Sequence, residues 1–119
     1  MELEFQISQT FDDDIKSLPE ENRVTVIDKI NLVATSFMNG KKEFNENASV
    51  PYIFTLKGGY ESSLYLIKAD NNNRIIAAVD EDPIFDKISF LLFRIIDKSI
   101  AEETYKIVGE NIYKDYGML

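Results

Sequence analysis

The chain has 119 residues, of which 45% are apolar, and a formal net charge of −8 at pH 7. It contains neither cysteine nor histidine, which excludes disulfides, thiolate chemistry, a Ser-His-Asp triad, a histidine-dependent ribonuclease and a conventional zinc site. The length predicts a single domain, residues 1–119. The negative charge argues against nucleic-acid binding over the whole surface but is compatible with a local basic pocket.

The chain shows no sign of a membrane or export segment. Its apolar runs are too short to span a bilayer, and the N-terminus MELEFQIS lacks the pattern of a signal peptide. Together with the absence of cysteine, this predicts a cytoplasmic protein without a membrane contact. We also expect neither a cofactor nor a bound metal.

The first half of the sequence predicts one strand and two helices. Apolar residues alternate with polar ones at Leu3, Phe5 and Ile7, which is typical of a short strand with one buried face. A brief helix capped by Thr10 follows, and then a longer helix over about 20–38, with Ser17 at its cap and Gly40 after its end. Residues 41–50 read as a polar loop.

Three consecutive acids in the brief helix, Asp12, Asp13 and Asp14, have two interpretations. They are either a charged first helical turn, favoured by the helix dipole, or part of a metal or acid–base site. No further ligands follow at helical spacing, which favours the first interpretation.

The second half predicts four consecutive strands, at 52–57, 63–69, 74–80 and 87–96. The hairpin turn between the middle two is Asp70-Asn71-Asn72-Asn73, whose side chains are of the types that bond their own backbone. Arg94 interrupts the otherwise apolar last strand, so it either reaches the rim of the sheet or pairs with an acid. A helix at about 100–114, capped by Ser99, closes the chain.

This order predicts an α+β domain, β-α-α-β-β-β-β-α, with a mainly antiparallel sheet and helices packed on one face. Together with three local strings, it resembles the RelE/ParE/HigB superfamily of type II toxin–antitoxin toxins. The strings are FDDDIKSLPEENRVTVIDKI (11–30), SLYLIKADNNNRIIAAVDED (63–82) and FRIIDKSIAEETY (93–105). Members often have Leu-Tyr-x-x-Arg/Lys, a turn, Arg with two hydrophobic residues, and a basic residue about seven positions before a tyrosine.

The resemblance implies a function and a set of site residues. Ribonucleases of this superfamily cut messenger RNA on the ribosome without metal, using clustered Lys and Arg and often a C-terminal tyrosine. Carried over to this chain, Lys68 matches the basic position of the strand, Arg74 the arginine after the turn, Tyr105 the tyrosine and Lys98 the basic residue before it. The predicted catalytic set is therefore Lys68, Arg74, Tyr105 and Lys98, of which Lys68, Arg74 and Tyr105 are expected to converge on one concave patch. We expect the patch to be locally positive because three cations, Lys57, Lys68 and Arg74, outnumber two acids, Glu61 and Asp70, within residues 56–79.

Two departures from the pattern keep an alternative open. Leu66 stands where some active enzymes have a second lysine, and this chain is acidic where such toxins are commonly basic. Both favour a non-catalytic, protein-binding member of the fold, either a ParE-like gyrase inhibitor or an inactive relative. The expected partners are a cognate antitoxin protein with a Lys- and Arg-rich contact segment and, for the ribonuclease, the ribosome and messenger RNA.

Overall fold

A single mixed sheet runs through the molecule, in a computed structural model that describes residues 2–54, 56 and 63–114. Five strands form it in the order β1-β5-β4-β3-β2: β1 (Glu2–Ile7), β2 (Ala48–Ser49), β3 (Leu64–Lys68), β4 (Asn73–Asp82) and β5 (Lys87–Asp97). The helices are α1 (Gln9–Lys16), α2 (Glu20–Ser36), α3 (Lys42–Asn47) and α4 (Ala101–Tyr113), and a 3-10 turn at Lys98–Ile100 precedes α4. The predicted α+β class is confirmed.

The predicted meander forms the centre of the sheet. β3 and β4 are antiparallel, with Leu64 opposite Ala78, and β4 and β5 are antiparallel over their whole length. β1 adds to the outer edge of β5 in parallel, with Glu2 opposite Lys87. The predictions for 63–69, 74–80 and 87–96 are therefore confirmed to within about two residues at each end.

The strand predicted at 52–57 is wrong over residues 52–54, which are irregular, and Leu56 makes only an isolated bridge; Thr55 and Lys57 lie outside the described residues. The position of Phe54 explains the difference. Its buried ring packs 5.4 Å from the ring of Tyr113, measured between centroids. It also occupies the space beside Gly109, where a Cβ atom would lie 2.1 Å from the phenyl carbon Cζ. The segment is thus held by side-chain packing on α4 rather than by strand pairing.

Helix α3 and strand β2 replace the polar loop predicted at 41–50. Phe44 is buried and contacts the rings of Phe37 and Tyr65. Its backbone N–H donates to Ser36 Oγ at 3.0 Å, which joins the start of α3 to the end of α2. Gly40, between them, has the positive φ of +88° expected of a residue after a helix end.

The helices cover both faces of the sheet, which corrects the prediction of one covered face. Alternate strand residues point to opposite sides. Ile67, Ile75 and Phe90 pack with α1, α2 and α3 on one side, whereas Leu66 and Ile76 pack with α4 on the other. Because β3, β4 and β5 are apolar on both sides, each side requires its own helical layer.

Beyond the end of β1, the side chains of Ser8 and Asp14 form hydrogen bonds with the backbone of β5, which no longer has a neighbouring strand on that side. Ser8 Oγ donates to the carbonyl of Phe93 at 2.9 Å and also accepts the N–H of Phe11, which makes Ser8, and not Thr10, the cap of α1. Asp14 accepts the N–H of Ile95 at 3.1 Å and the Nε–H of Arg94 at 2.7 Å. Arg94 therefore pairs with an acid, one of the two alternatives that the sequence left open.

The neighbouring acids also have structural roles. Asp12 pairs with Lys16 at 2.7 Å, and Asp13 accepts from Gln9 Nε2 at 3.0 Å. In the described part of the chain, no group of three or more His, Cys, Asp or Glu residues has the geometry to hold a metal ion. No described helix combines the length and apolar character needed to cross a bilayer.

Candidate functional site

The candidate site lies at the turn that joins β3 to β4. Lys68 is the last residue of β3, Arg74 is the second residue of β4, and the two are direct cross-strand partners. Both continue the row of Leu64, Leu66 and Ile76, so they extend from the face that α4 covers. The sequence prediction that the turn brings Lys68 and Arg74 together is thus met by the register of the hairpin.

Direct opposition of two cations is unfavourable within the protein. Opposed residues in an antiparallel pair have Cβ atoms about 4.5–5.5 Å apart, and like charges there destabilise the hairpin. Lys68 is exposed and Arg74 half-buried. An anion bound between the two side chains would relieve their repulsion.

Arg74 is held by the backbone of its own turn. Its Nη1 group donates to the carbonyl of Asp70 at 2.8 Å and to that of Asn73 at 3.1 Å. These contacts fix the plane of the guanidinium group. A fixed guanidinium binds phosphate with less loss of conformational freedom than a mobile one.

Lys98 reaches the same region from the end of β5. Its backbone N–H donates to the carbonyl of Asn72 at 2.8 Å, so the 3-10 turn that leads into α4 is attached to the β3–β4 turn. Lys68, Arg74 and Lys98 are hereafter called the basic cluster.

Two carboxylates accompany the basic cluster. Burial raises the pKa of Asp70, but hydrogen bonds from the Asn73 amide and from two backbone N–H groups, with the charge of Arg74, outweigh it and leave the pKa below its ordinary value. The hydroxyl and N–H of Ser99 lower the pKa of Asp97, and the charges of Lys98 and Arg74 add to this. The site thus combines three cations with two carboxylates. Lys57 and Glu61, which also entered the prediction of a positive patch, lie outside the described residues.

Tyr105 does not join the basic cluster at the surface. It lies on the buried face of α4 and is fully buried, and its hydroxyl donates to the carbonyl of Leu64 at 2.7 Å. Burial, with smaller effects from Tyr113 and Tyr65, raises its pKa to about 12. This geometry gives Tyr105 a role in attaching α4 to β3.

The structure also shows contacts at the site that the sequence prediction did not use. The turn side chains were predicted to bond their own backbone, as Asp70 does, but Asp70 was not predicted to hold the turn from which Arg74 extends. The signal was present in the Asp-Asn-Asn-Asn run, since Asp and Asn side chains bond backbone groups two or three residues ahead.

A second surface feature is an apolar groove of about 310 Å³ between α1, α2 and β1. Its lining includes Phe11, Ile7 and Ile27, of which the last two are 58% and 46% exposed. Asp12 lies at its margin, and Asp28 is exposed on α2. The groove is thus an apolar surface on an acidic molecule.

Comparisons with known proteins return similar folds. The toxin–antitoxin complex RelBE2 from Mycobacterium tuberculosis matches with a TM-score of 0.47 and 12% identity, over 82% of this chain and 100% of that one. The YoeB dimer from Staphylococcus aureus gives 0.47 and 16%, over 79% and 94%. The YoeB/ParE toxin from Agrobacterium tumefaciens gives 0.43 and 15%, over 82% and 98%. No protein-family model and no curated protein matches the sequence. At these identities and TM-scores the similarity is one of strand and helix arrangement.

Proposed function

We propose that this chain is the toxin-like component of a type II toxin–antitoxin pair and acts as a metal-independent endoribonuclease on messenger RNA at the ribosome. The observation that supports this best is the direct cross-strand opposition of Lys68 and Arg74. It forms a two-cation site that suits a phosphate, and the sequence resemblance assigns the same two residues to catalysis.

Cleavage of RNA without a metal requires three things of such a site. The 2′-hydroxyl of the ribose attacks the adjacent phosphate, so a proton must be removed, charge on the phosphorane stabilised and the leaving oxygen protonated. Arg74, held by two carbonyls, would stabilise the charge without itself losing a proton. Lys68 is exposed beside it and would take part in proton transfer.

Lys98 would bind RNA, and Tyr105 would take no part in the reaction. Lys98 is given this role because its backbone N–H bonds to the carbonyl of Asn72, which places it beside the turn. Tyr105 is enclosed by the core, so its hydroxyl has no path to RNA in this conformation.

The test is cleavage of a translated messenger RNA by the purified protein with ribosomes. Arg74→Ala should reduce the cleavage rate by about 10²-fold, the usual scale for losing one group that stabilises transition-state charge, and Lys68→Ala should act similarly. Lys42→Ala, which removes an exposed cation from α3, is the matched control and should keep the wild-type rate. All three variants should keep the wild-type circular dichroism spectrum.

A second candidate is a non-catalytic member of the same fold that acts by binding protein. The burial of Tyr105 and the two carboxylates beside the cations favour it. Wild-type protein that neither cleaves translated messenger RNA nor arrests growth on expression would reject the ribonuclease and leave this candidate. Tyr105→Phe adds a check, since a rate reduced as strongly as by Arg74→Ala would show that the tyrosine does enter the chemistry.

The proposed antitoxin binds in the apolar groove between α1 and α2. Its exposed isoleucines, Ile7 and Ile27, would be buried by the apolar face of a helix or strand. Because the whole chain is acidic, the partner segment should be rich in Lys and Arg.

A further inference from the structure

The carboxylate of Asp70 stabilises the turn between β3 and β4 by accepting hydrogen bonds within the turn. Its Oδ1 atom accepts the backbone N–H of Asn72 at 2.8 Å and that of Asn73 at 2.7 Å. Its Oδ2 atom accepts from the side-chain amide of Asn73 at 3.0 Å. One side chain thus satisfies two backbone donors that the hairpin leaves unpaired at this point.

Backbone carbonyls of the same turn accept hydrogen bonds from two members of the basic cluster. The carbonyl of Asp70 accepts from Arg74 Nη1 at 2.8 Å, and the carbonyl of Asn72 accepts the N–H of Lys98 at 2.8 Å. The direction of both carbonyls depends on the backbone conformation of residues 70–73. The Asp70 carboxylate therefore sets the direction of the Arg74 guanidinium through the backbone of the turn.

We propose that Asp70 is a positioning residue for single-stranded RNA, and that it acts through Arg74 by fixing the turn from which Arg74 and Lys68 meet a phosphate. The inference rests on the proposed function, since it concerns the same RNA site. It gives a reason for an acid in a site that binds a polyanion, where charge alone would disfavour one.

Two possible effects of the Asp70 carboxylate on RNA binding, repulsion by its charge and positioning of Arg74, predict different affinities for its variants. If the carboxylate only repels RNA, every neutral replacement should tighten binding to the same extent. If it positions Arg74, the effect depends on whether the replacement can still accept the two backbone N–H groups. Asp70→Asn and Asp70→Ala remove the same charge, but only the asparagine retains an acceptor in the same place.

The experiment measures binding of a short fluorescein-labelled single-stranded RNA to the full chain by anisotropy at physiological ionic strength. We expect Asp70→Ala to bind about 10-fold more weakly than Asp70→Asn, the scale of one charge-assisted hydrogen bond to phosphate. The same pair is then measured in the background of Arg74→Ala. Because Asp70 acts through Arg74, the difference should disappear there, whereas a general loss of structure would persist.

Each outcome decides a separate point. Equal affinities of Asp70→Ala and Asp70→Asn, or a difference unchanged by Arg74→Ala, would overturn the positioning role while wild-type binding kept the proposed function intact. Wild-type protein that binds no RNA would overturn this inference, whereas the proposed function is decided separately by the cleavage assay with ribosomes. If Asp70→Ala does not fold, Asp70→Ser replaces it, because its shorter hydroxyl makes the same backbone contacts more weakly; it should then bind less tightly than Asp70→Asn.

Discussion

Neighbouring side chains of the same type have different structural roles in this chain. Three consecutive acids begin alike on α1, yet Asp14 alone of the three reaches across to β5, where its carboxylate accepts two hydrogen bonds from Arg94 and one from the N–H of Ile95. Its side chain is only 16% exposed, against 40% for Asp12. Position on the helix therefore separates a structural residue from a solvated one.

Asp14→Ala should lower the free energy of unfolding by about 2 kcal/mol, because the change leaves the partly buried Arg94 and the N–H of Ile95 without their acceptor. Asp12→Ala on the same helix is the control and should cost less than about 1 kcal/mol, since its partner Lys16 forms an exposed pair. Chemical denaturation of both variants measures the difference. Equal losses would show that Asp14 contributes no more than a surface charge.

From the sequence, pairing with an acid is one of two alternatives for Arg94, and the pattern does not indicate which acid. The choice depends on the rotation of α1 relative to β5, which the packing of Phe11 and Ile15 against the sheet decides. The same limit applies to Tyr105, since a tyrosine on a helical stripe has the same spacing in a core as in a catalytic site.

At the scale of elements, α4 approaches its neighbouring segment closely because of one glycine. Gly109 faces the buried ring of Phe54, and a Cβ atom added there would overlap three ring carbons at 2.1–2.9 Å. Glycine in a helix interior is unfavourable relative to alanine by about 1 kcal/mol. The packing of Phe54 explains why the glycine is nevertheless suitable here.

Gly109→Ala should therefore destabilise the protein, by about 1–3 kcal/mol, because overpacking outweighs the gain in helix propensity. Asn111→Ala, at an exposed position of the same helix, receives the propensity gain without the clash and should be slightly stabilised. Thermal unfolding of the two variants tests the contrast. A stabilised Gly109→Ala would mean that Phe54 can leave its site at little cost.

The 3-10 turn before α4 should make stability depend on pH. Hydrogen bonds from the hydroxyl and N–H of Ser99 lower the pKa of Asp97 below its ordinary 3.8. A carboxylate with a lowered folded-state pKa contributes stability above the unfolded value, and this contribution is lost as pH falls through the folded value. The unfolding midpoint should thus decrease below about pH 4, and Asp97→Asn should flatten that decrease. Parallel curves for the two proteins would contradict this.

Element prediction succeeded where local chemistry dictates structure and failed where distant packing does. The alternation and the Asp-Asn turn define β3 and β4, and the apolar run defines β5. The failures, α3 and the segment at 52–54, depend on Phe44 filling space between α2 and the sheet and on Phe54 reaching Gly109. Neither contact has a signal in the sequence near it.

At the scale of the whole molecule, the two faces of the sheet carry different surfaces. Lys68 and Arg74 extend from the face that α4 covers, whereas the apolar groove lies on the other face, with α1 and α2. A partner in the groove and RNA at the basic cluster would therefore occupy separate regions of the protein.

Binding of the protein encoded by the adjacent reading frame tests the groove. Ile7→Ser combined with Ile27→Ser should weaken co-purification at least 10-fold, since each fully buried isoleucine contributes about 1.5–3 kcal/mol. Ile107→Ser is the control, because Ile107 is 52% exposed on α4, outside the groove. Raising the salt concentration should weaken the complex as well. Affinity that does not respond to salt would contradict the charge complementarity, and equal effects of the groove and control variants would contradict the location.

The parallel pairing of β1 with β5 has a consequence for the order of assembly. Ser8 and Phe93, which bond to each other, are 85 positions apart in the chain, whereas the β3–β4 and β4–β5 hairpins join neighbouring segments. Closing so long a loop is entropically unfavourable until the rest of the sheet exists. During synthesis, β1 leaves the ribosome long before β5 and must wait for β5 before it can pair. Until then, Leu3 and Phe5 lack the surface that they cover in the finished protein, and the nascent chain carries an unpaired apolar strand.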